Sequence, residues 1–208
     1  SKSRVYVEHF VENKDGSVSH IDLASWADVF LLAPATANTI AKVNAGIGDN
    51  LLTSTVIAYN KPLIFAPTMN TNMLNNPITQ RNIRDLKELG HLFINTNSGF
   101  LACNDNGDGR MAEPYEIIDY LEFYLTKKDL KGKKIIVTAG PTIEEIDPVR
   151  YISNYSSGKM GFNLAKAARN RGAEVVLIAG PNNLNNIKGI KIIDIKTNSE
   201  LKNQIDKY

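Results

Sequence analysis

The chain has 208 residues, 43% of them hydrophobic and 22% charged, the balance of an ordinary folded protein with room for one large domain or two small ones. A formal net charge of +2 is too small to point to nucleic acid, and no apolar run reaches membrane-spanning length or forms a signal peptide. The single cysteine, Cys103, leaves no internal disulfide. That fits a reducing cytoplasm, the expected location, and makes Cys103 a candidate reactive thiol.

Ser1 to Ser19 carries little signal beyond a turn at Lys14-Asp15-Gly16-Ser17. The chain opens with Ser1 in mid-pattern, which reads as a fragment. His20 to Ala27 has the pattern of a short amphipathic helix with Ser19 as cap. Asp28 to Ala33 is apolar on both faces, as a central parallel strand is. It runs into Pro34-Ala35-Thr36-Ala37-Asn38, and a helical pattern follows to about Ala45. A second helix, Asn50 to Tyr59, leads to the strand Pro62 to Phe65. Ala66 to Met73 then forms a turn before a helix from Pro77 to Leu89, a third strand at His91 to Ile94 and a long polar loop from Asn95 to Ala112. Glu113-Pro114 starts a helix reaching about Leu125.

Thr126 to Lys134 changes in composition. Its lysines, Lys127, Lys128, Lys131, Lys133 and Lys134, read as a solvated linker rather than a phosphate track. We expect one domain over residues 1–126, a linker over 127–133 and a second domain over 134–208. The second region has strands at Lys134 to Thr138, Ala173 to Ala179 and Ile190 to Ile195, and a helix at Phe162 to Arg171. It reads as cut short at Tyr208. The alternation of strand and helix in both regions gives an α/β fold.

Three turns at strand ends carry candidate chemistry, because open α/β sheets place ligands there. Pro34 to Asn38 offers small residues, two polar side chains (Thr36 and Asn38) and helix-start N–H groups suited to an anion. Asn70 carries a carboxamide able to hold a carboxylate, with Met69 and Met73 as pliable apolar surface for a flat ring. Ser156, Ser157, Gly158 and Gly161 at a helix start suit a phosphate cradle, though neither the P-loop nor the Gly-x-Gly-x-x-Gly spacing is present. Each turn also has a plain structural reading as a cap with packing residues. Asp105 and Asp108 do not match the calcium-loop pattern, and no metal ligands are assigned.

The motifs then join. His20-Ile21-Asp22-Leu23, Ala33-Pro34 with Ala37-Asn38, Pro67-x-Met69-Asn70-x-x-Met73, and Ala102-Cys103 with Gly109-Arg110-Met111 occur in the order found in flavin-dependent phosphopantothenoylcysteine decarboxylases. Thr138 to Thr142, Asp147-Pro148-Val149-Arg150, and Ile152-Ser153-Asn154 through Ser156-Ser157-Gly158-Lys159-Met160-Gly161 closely resemble the start of phosphopantothenate–cysteine ligase. Fused in this order, the two resemble the bifunctional bacterial coenzyme A biosynthesis family. Two positions depart from its pattern: Leu74 stands where Trp is usual, and Asn104 where Gly is usual.

The resemblance implies a Rossmann-like flavoprotein domain followed by the start of a Rossmann-like ligase domain. It implies FMN as cofactor, CTP as co-substrate and Mg2+, with 4′-phosphopantothenate, cysteine and phosphopantothenoylcysteine as substrates. Pro34, Ala35, Thr36, Ala37, Asn38 and Met69 would line the FMN site. His20 would act as a base, Asn70 would hold the substrate carboxylate, and Cys103 would donate a proton. Gly140, Ser156, Gly158 and Gly161 would contact nucleotide phosphates, and Asn154 would hold an acyl-cytidylate. It also implies a homo-oligomer built on trimers. A flavin-dependent peptidyl-cysteine decarboxylase and a non-catalytic regulatory relative are the alternatives.

Overall fold

The computed structural model describes residues 19–100 and 106–208. The chain divides into two compact units, one ending at Ile117 and the other starting at Ile118.

In the first unit, α1 (Ser19–Trp26) leads to β1 (Phe30–Ala35), α2 (Ala37–Asn44), α3 (Leu51–Ala58) and β2 (Leu63–Pro67). Then come α4 (Thr71–Asn75), α5 (Pro77–Glu88) and β3 (Leu92–Phe93). The three strands are parallel, in the order β1-β2-β3. β2 is buried along its whole length, so the central strand is this one and not β1, whose Ala33 and Pro34 are exposed. β1 also starts two residues later than expected and carries Pro34 and Ala35 within it. Phe65, on β2, is fully buried and stacks on Phe93 at 4.5 Å. Around it pack Leu32, Ile40, Val56, Leu63, Ile83 and Leu86.

The helices begin where local chemistry permits. Asn50 accepts the Thr53 N–H at 3.0 Å while Thr53 Oγ1 accepts the Asn50 N–H at 3.2 Å, a capping box that fixes the start of α3. Asn76 accepts the Ile78 N–H at 2.9 Å, and Pro77 at the first helical position lacks an N–H to leave unpaired in α5. His91 Nδ1 accepts the buried Leu63 N–H at 3.1 Å, tying the end of α5 to the start of β2. Burial lowers the His91 pKa below its ordinary value, which favours the neutral imidazole that can accept this bond.

The stretch 95–112 is not a loop. It contains a hairpin of β4 (Asn97–Phe100) and β5 (Asn106–Arg110), antiparallel, with Gly99 opposite Gly107. Its residues have poor strand propensity, so the pairing is imposed by where β5 docks. Met69 donates its N–H to Gly109 O at 3.0 Å, and Thr71 Oγ1 donates to Asp108 O at 2.7 Å.

The helix α6 (Pro114–Leu125) runs across the division between the units. The second unit holds β6 (Lys134–Ala139), β7 (Glu144–Glu145), β8 (Tyr151–Ile152), α7 (Lys159–Asn170), β9 (Glu174–Ala179), β10 (Lys191–Asp194) and α8 (Asn198–Ile205). Its main sheet is parallel in the order β10-β9-β6. Phe162, Ala165 and Ala168 of α7 pack with Val175, Leu177 and Ala179 of β9. α7 begins three residues before the expected Phe162, and β7 pairs antiparallel with β8 in a stretch where no strand was expected.

Residues 127–133 are bonded into the second unit rather than solvated. Leu130 N–H donates to Arg171 O at 2.9 Å, and Glu174 N–H donates to Lys133 O at 2.9 Å. Lys128 Nζ donates to Asn170 O at 2.7 Å and lies 3.6 Å from the Phe123 ring centroid. Burial, and then the Arg169 charge, lower the Lys128 pKa. Nearby, the buried Arg169 guanidinium grips both oxygens of Asp119 at 2.8 and 3.0 Å and donates to Lys188 O at 2.7 Å. Burial pushes the Asp119 carboxyl up, but bonds from Arg169 and Lys166 outweigh it and leave the pKa lowered. The later part of α6 is thereby fixed to α7. Among the described residues no helix is long and apolar enough to cross a membrane.

Candidate functional site

In the first unit, the turns after β1 and β2 lie side by side. Ala35 pairs with Pro67 at the end of the register, and Thr68 N–H donates to Ala35 O at 3.0 Å. Both turns stand at carboxyl ends of parallel strands. Ala33, Pro34, Thr36 and Asn38 are exposed, Ala37 is half-buried and Ala35 is fully buried. A flat heteroaromatic ring could lie against Ala33 and Pro34, where no long side chain intervenes, with the Asn38 amide and Thr36 hydroxyl beside it. These residues therefore fit one side of a flavin. Thr36 also accepts the Thr39 N–H at 3.3 Å and so caps α2. One N–H expected to await an anion is already bonded.

Asn70 is half-buried at the start of α4, where its carboxamide oxygen accepts the Asn72 N–H at 2.8 Å. Met69 packs into the core cluster and is 9% exposed, so its side chain gives a ring little surface. Met73 is the more available methionine, at 50% exposed. His20 stands on a different element, the first turn of α1, half-buried, in a helix that packs against α3. Cys103 lies outside the described residues. On either side of it, Phe100 and Asn106 pair across β4 and β5.

In the second unit, a cavity of about 250 Å³ opens at the end of β6. The expected Gly140, Ser156, Gly158 and Gly161 all line it. α7 starts at Gly158 in a left-handed conformation, φ +75°, with no side-chain cap. Its first N–H groups are thus left for a ligand, and the helix dipole favours an anion there. A Cβ on Gly161 would stand 2.6 Å from Ala139 Cβ, so glycine lets the helix start press against the end of β6. Asn154 is exposed, and its carboxamide oxygen accepts the Ser156 N–H at 2.9 Å, shaping the approach to the cradle. Further up the chain, the Asp147 carboxylate accepts the N–H groups of Val149 and Arg150 at 2.9 and 2.7 Å. The Val149 N–H and then the Arg150 side chain hold the Asp147 carboxyl below its ordinary pKa.

Sequence reasoning missed part of this cavity. Thr142, Ile178, Ile195 and Leu201 also line it. Leu201 belongs to α8, which the capping-box spacing Thr197-x-x-Glu200 could have revealed. Gly180, after β9, was also missed. A Cβ there would fall 1.7 Å from Pro141 O, so only glycine lets the two strand-end turns meet. Among the described residues no group of three or more His, Cys, Asp and Glu side chains is placed to hold a metal.

Comparisons with known proteins divide the chain in the same order. Residues 1–125 match the family model described as flavoprotein, and residues 130–208 match the DNA/pantothenate metabolism flavoprotein C-terminal domain. The chain is 47% identical to the coenzyme A biosynthesis bifunctional protein CoaBC of Vibrio cholerae, covering 93% of this chain and 48% of that protein. It is 43% identical to the protein of that name from Bacillus subtilis, covering 99% of this chain and 52% of the relative. A cysteine/cysteine sulfinic acid decarboxylase of unknown prokaryotic origin is 47% identical over 97% of this chain and 58% of its own length. The chain thus spans about half the length of the curated relatives it matches. Among solved structures, a mutant PPC decarboxylase complexed with pantothenoylaminoethenethiol superposes with a TM-score of 0.52 at 44% identity, over 54% of this chain and 63% of that one. Two adjoining strand-end turns, a helix start without a side-chain cap and these matches lead to one assignment: the chain belongs to the flavoprotein family and continues into the C-terminal domain of the pantothenate metabolism flavoproteins.

Proposed function

We propose that this chain carries an FMN-dependent decarboxylase domain joined to the start of a CTP-dependent ligase domain, working in coenzyme A biosynthesis. The ligase reaction joins 4′-phosphopantothenate to cysteine. The decarboxylase converts phosphopantothenoylcysteine to 4′-phosphopantetheine and carbon dioxide. The observation that carries this reading is the presence, on one chain and in this order, of the Asn70 turn beside β1 and the phosphate-suited start of α7.

Bound FMN would accept a hydride from the cysteine moiety and return it, so that carbon dioxide is lost without net oxidation. The chain's residues orient and move protons. Pro34 to Asn38, with Met69 behind them, form the wall against which the ring is held. The Asn70 carboxamide donates to the substrate carboxylate and fixes its direction. His20 takes the thiol proton at its imidazole, acting from the oligomer, which we propose is built on trimers. Cys103 returns one proton from its Sγ in the final reduction. In the second unit the α7 N–H groups and the Ser156 hydroxyl hold nucleotide phosphates, with Mg2+ arriving on the triphosphate. Asn154 is placed next to them to hold the acyl-cytidylate. The functional domains run over residues 1–126 and 134–208 with 127–133 between them, and the protein works in the cytoplasm.

A second reading, decarboxylation of free cysteine or cysteine sulfinate, is favoured by the 47% identity to the enzyme of that name. The phosphate-suited cavity supports the first, since free cysteine offers it nothing to bind. Full-length protein incubated with 4′-phosphopantothenate, cysteine, CTP and Mg2+, followed by mass spectrometry and flavin absorbance, tests this. A yellow protein forming 4′-phosphopantetheine is expected. Release of carbon dioxide from free cysteine, with CTP untouched, would replace this reading with the second.

A further inference from the structure

We propose that Thr71 is a positioning residue that holds strand β5 against the turn bearing Asn70; its link to catalysis rests on the decarboxylase reading above. The Thr71 hydroxyl donates to Asp108 O at 2.7 Å, reaching from the first turn of α4 to the backbone of β5. Next to it, Met69 N–H donates to Gly109 O at 3.0 Å. Two glycines make this approach possible. A Cβ on Gly107 would stand 2.4 Å from Thr71 Oγ1, and one on Gly109, at φ +126°, would stand 2.1 Å from Met69 O. Ser98 Oγ and Asp108 Oδ1 share a hydrogen bond across the hairpin, so β4 is tied to the same point. Asn70 lies between the two residues that hold β5, and Cys103 lies in the chain between β4 and β5. A side chain with no role in bonding substrate thus sets where the carboxylate-binding turn stands relative to the hairpin strands.

The consequence falls on the last step. Decarboxylation leaves an aminoenethiol. Its carbon–carbon double bond is reduced by one hydride from reduced flavin, which gained it by oxidising the same substrate, and one proton from the Cys103 thiol. If β5 shifts, proton delivery slows more than substrate capture, because a small misplacement of a reacting group is costly. Turnover then ends more often at the aminoenethiol, lighter than the product by two hydrogens.

Thr71→Val keeps the shape and removes the hydroxyl donor, whereas Thr71→Ser keeps the donor. In the FMN-loaded full-length protein, given phosphopantothenoylcysteine, Thr71→Val is expected to raise the released aminoenethiol fraction on the order of tenfold with KM changed less than about twofold. Thr71→Ser is expected to restore the wild-type partition. Amide exchange at Met69, read without substrate, should quicken on the order of tenfold in Thr71→Val and not in Thr71→Ser. Unchanged Met69 exchange and an unchanged partition in Thr71→Val would overturn the proposal. Loss of activity that Thr71→Ser does not rescue would also overturn it. If wild-type protein leaves phosphopantothenoylcysteine untouched, the decarboxylase reading fails, while Met69 exchange still decides whether Thr71 holds β5.

Discussion

Strand β1 of the first unit and strand β6 of the second each run into a helix, but the two helix starts are finished differently. At α2, Thr36 caps the helix with its own hydroxyl, and the turn before it presents small apolar surface. At α7, Gly158 supplies the turn and no side chain caps the helix. The first arrangement suits a flat ring approaching from the side, and the second suits an anion approaching along the helix axis. The same strand-turn-helix unit therefore serves two chemistries, separated by one residue choice at the cap. The supporting layers differ too. The first unit rests on a buried aromatic strand. The second adds a buried Arg169–Asp119 pair that fixes part of α6 to α7.

That comparison can be broken at several points, and the largest effect belongs to the first unit's core. Phe65→Ala removes a fully buried ring stacked on Phe93 and is expected to cost about 3–5 kcal/mol. Amide exchange in β2 should quicken more than exchange in β9. Next comes Arg169→Met, which leaves Asp119 without its guanidinium. Because Asp119 keeps some solvent contact, a loss of about 2–3 kcal/mol is expected, on the low side for breaking a buried pair, read as a lower melting point with earlier exchange in α7.

His91→Ala leaves the Leu63 N–H buried without its acceptor and should cost about 1–2 kcal/mol. The same histidine gives the first unit a pH signature. Its folded pKa lies below the ordinary value, so the unfolded chain binds the proton more readily. The stability it contributes is complete above the ordinary histidine pKa of about 6.5 and falls as pH drops toward the folded pKa. Denaturation midpoints in His91→Gln should lose that part of the acid dependence. Gly158→Ala strains a left-handed position by about 1 kcal/mol and should weaken CTP binding several-fold, measured by calorimetry, while leaving flavin content alone. The smallest effect is expected at the exposed Lys196–Glu145 pair, where Lys196→Ala should leave the melting temperature unchanged.

The alternation of strands and helices was readable because it rests on local signals. The buried run at Leu63 to Ala66 and the caps at Asn50 and Asn76 are written in neighbouring residues. What was hidden depends on tertiary contact. Asn97 to Phe100 and Asn106 to Arg110 are rich in Gly, Asn and Asp, and become strands because the Met69 and Thr71 backbone region receives them. Lys128 looked like solvated charge, and only the fold shows its ammonium on the Phe123 ring and the Asn170 carbonyl. The glycines of the second cavity were visible as residue types, but Gly180 gains meaning only when Pro141 lies against it. In the first unit, Met69 and Met73 look alike in sequence, and burial alone separates the core residue from the exposed one.

The most direct test of two chemistries on one architecture is a backbone amide map of the full-length protein titrated first with FMN and then with CTP and Mg2+. The account predicts that FMN perturbs the amides of residues 33–38 and leaves residues 157–161 unmoved, and that CTP does the reverse. Perturbation of residues 36–39 by CTP, with residues 157–161 unaffected, would contradict it.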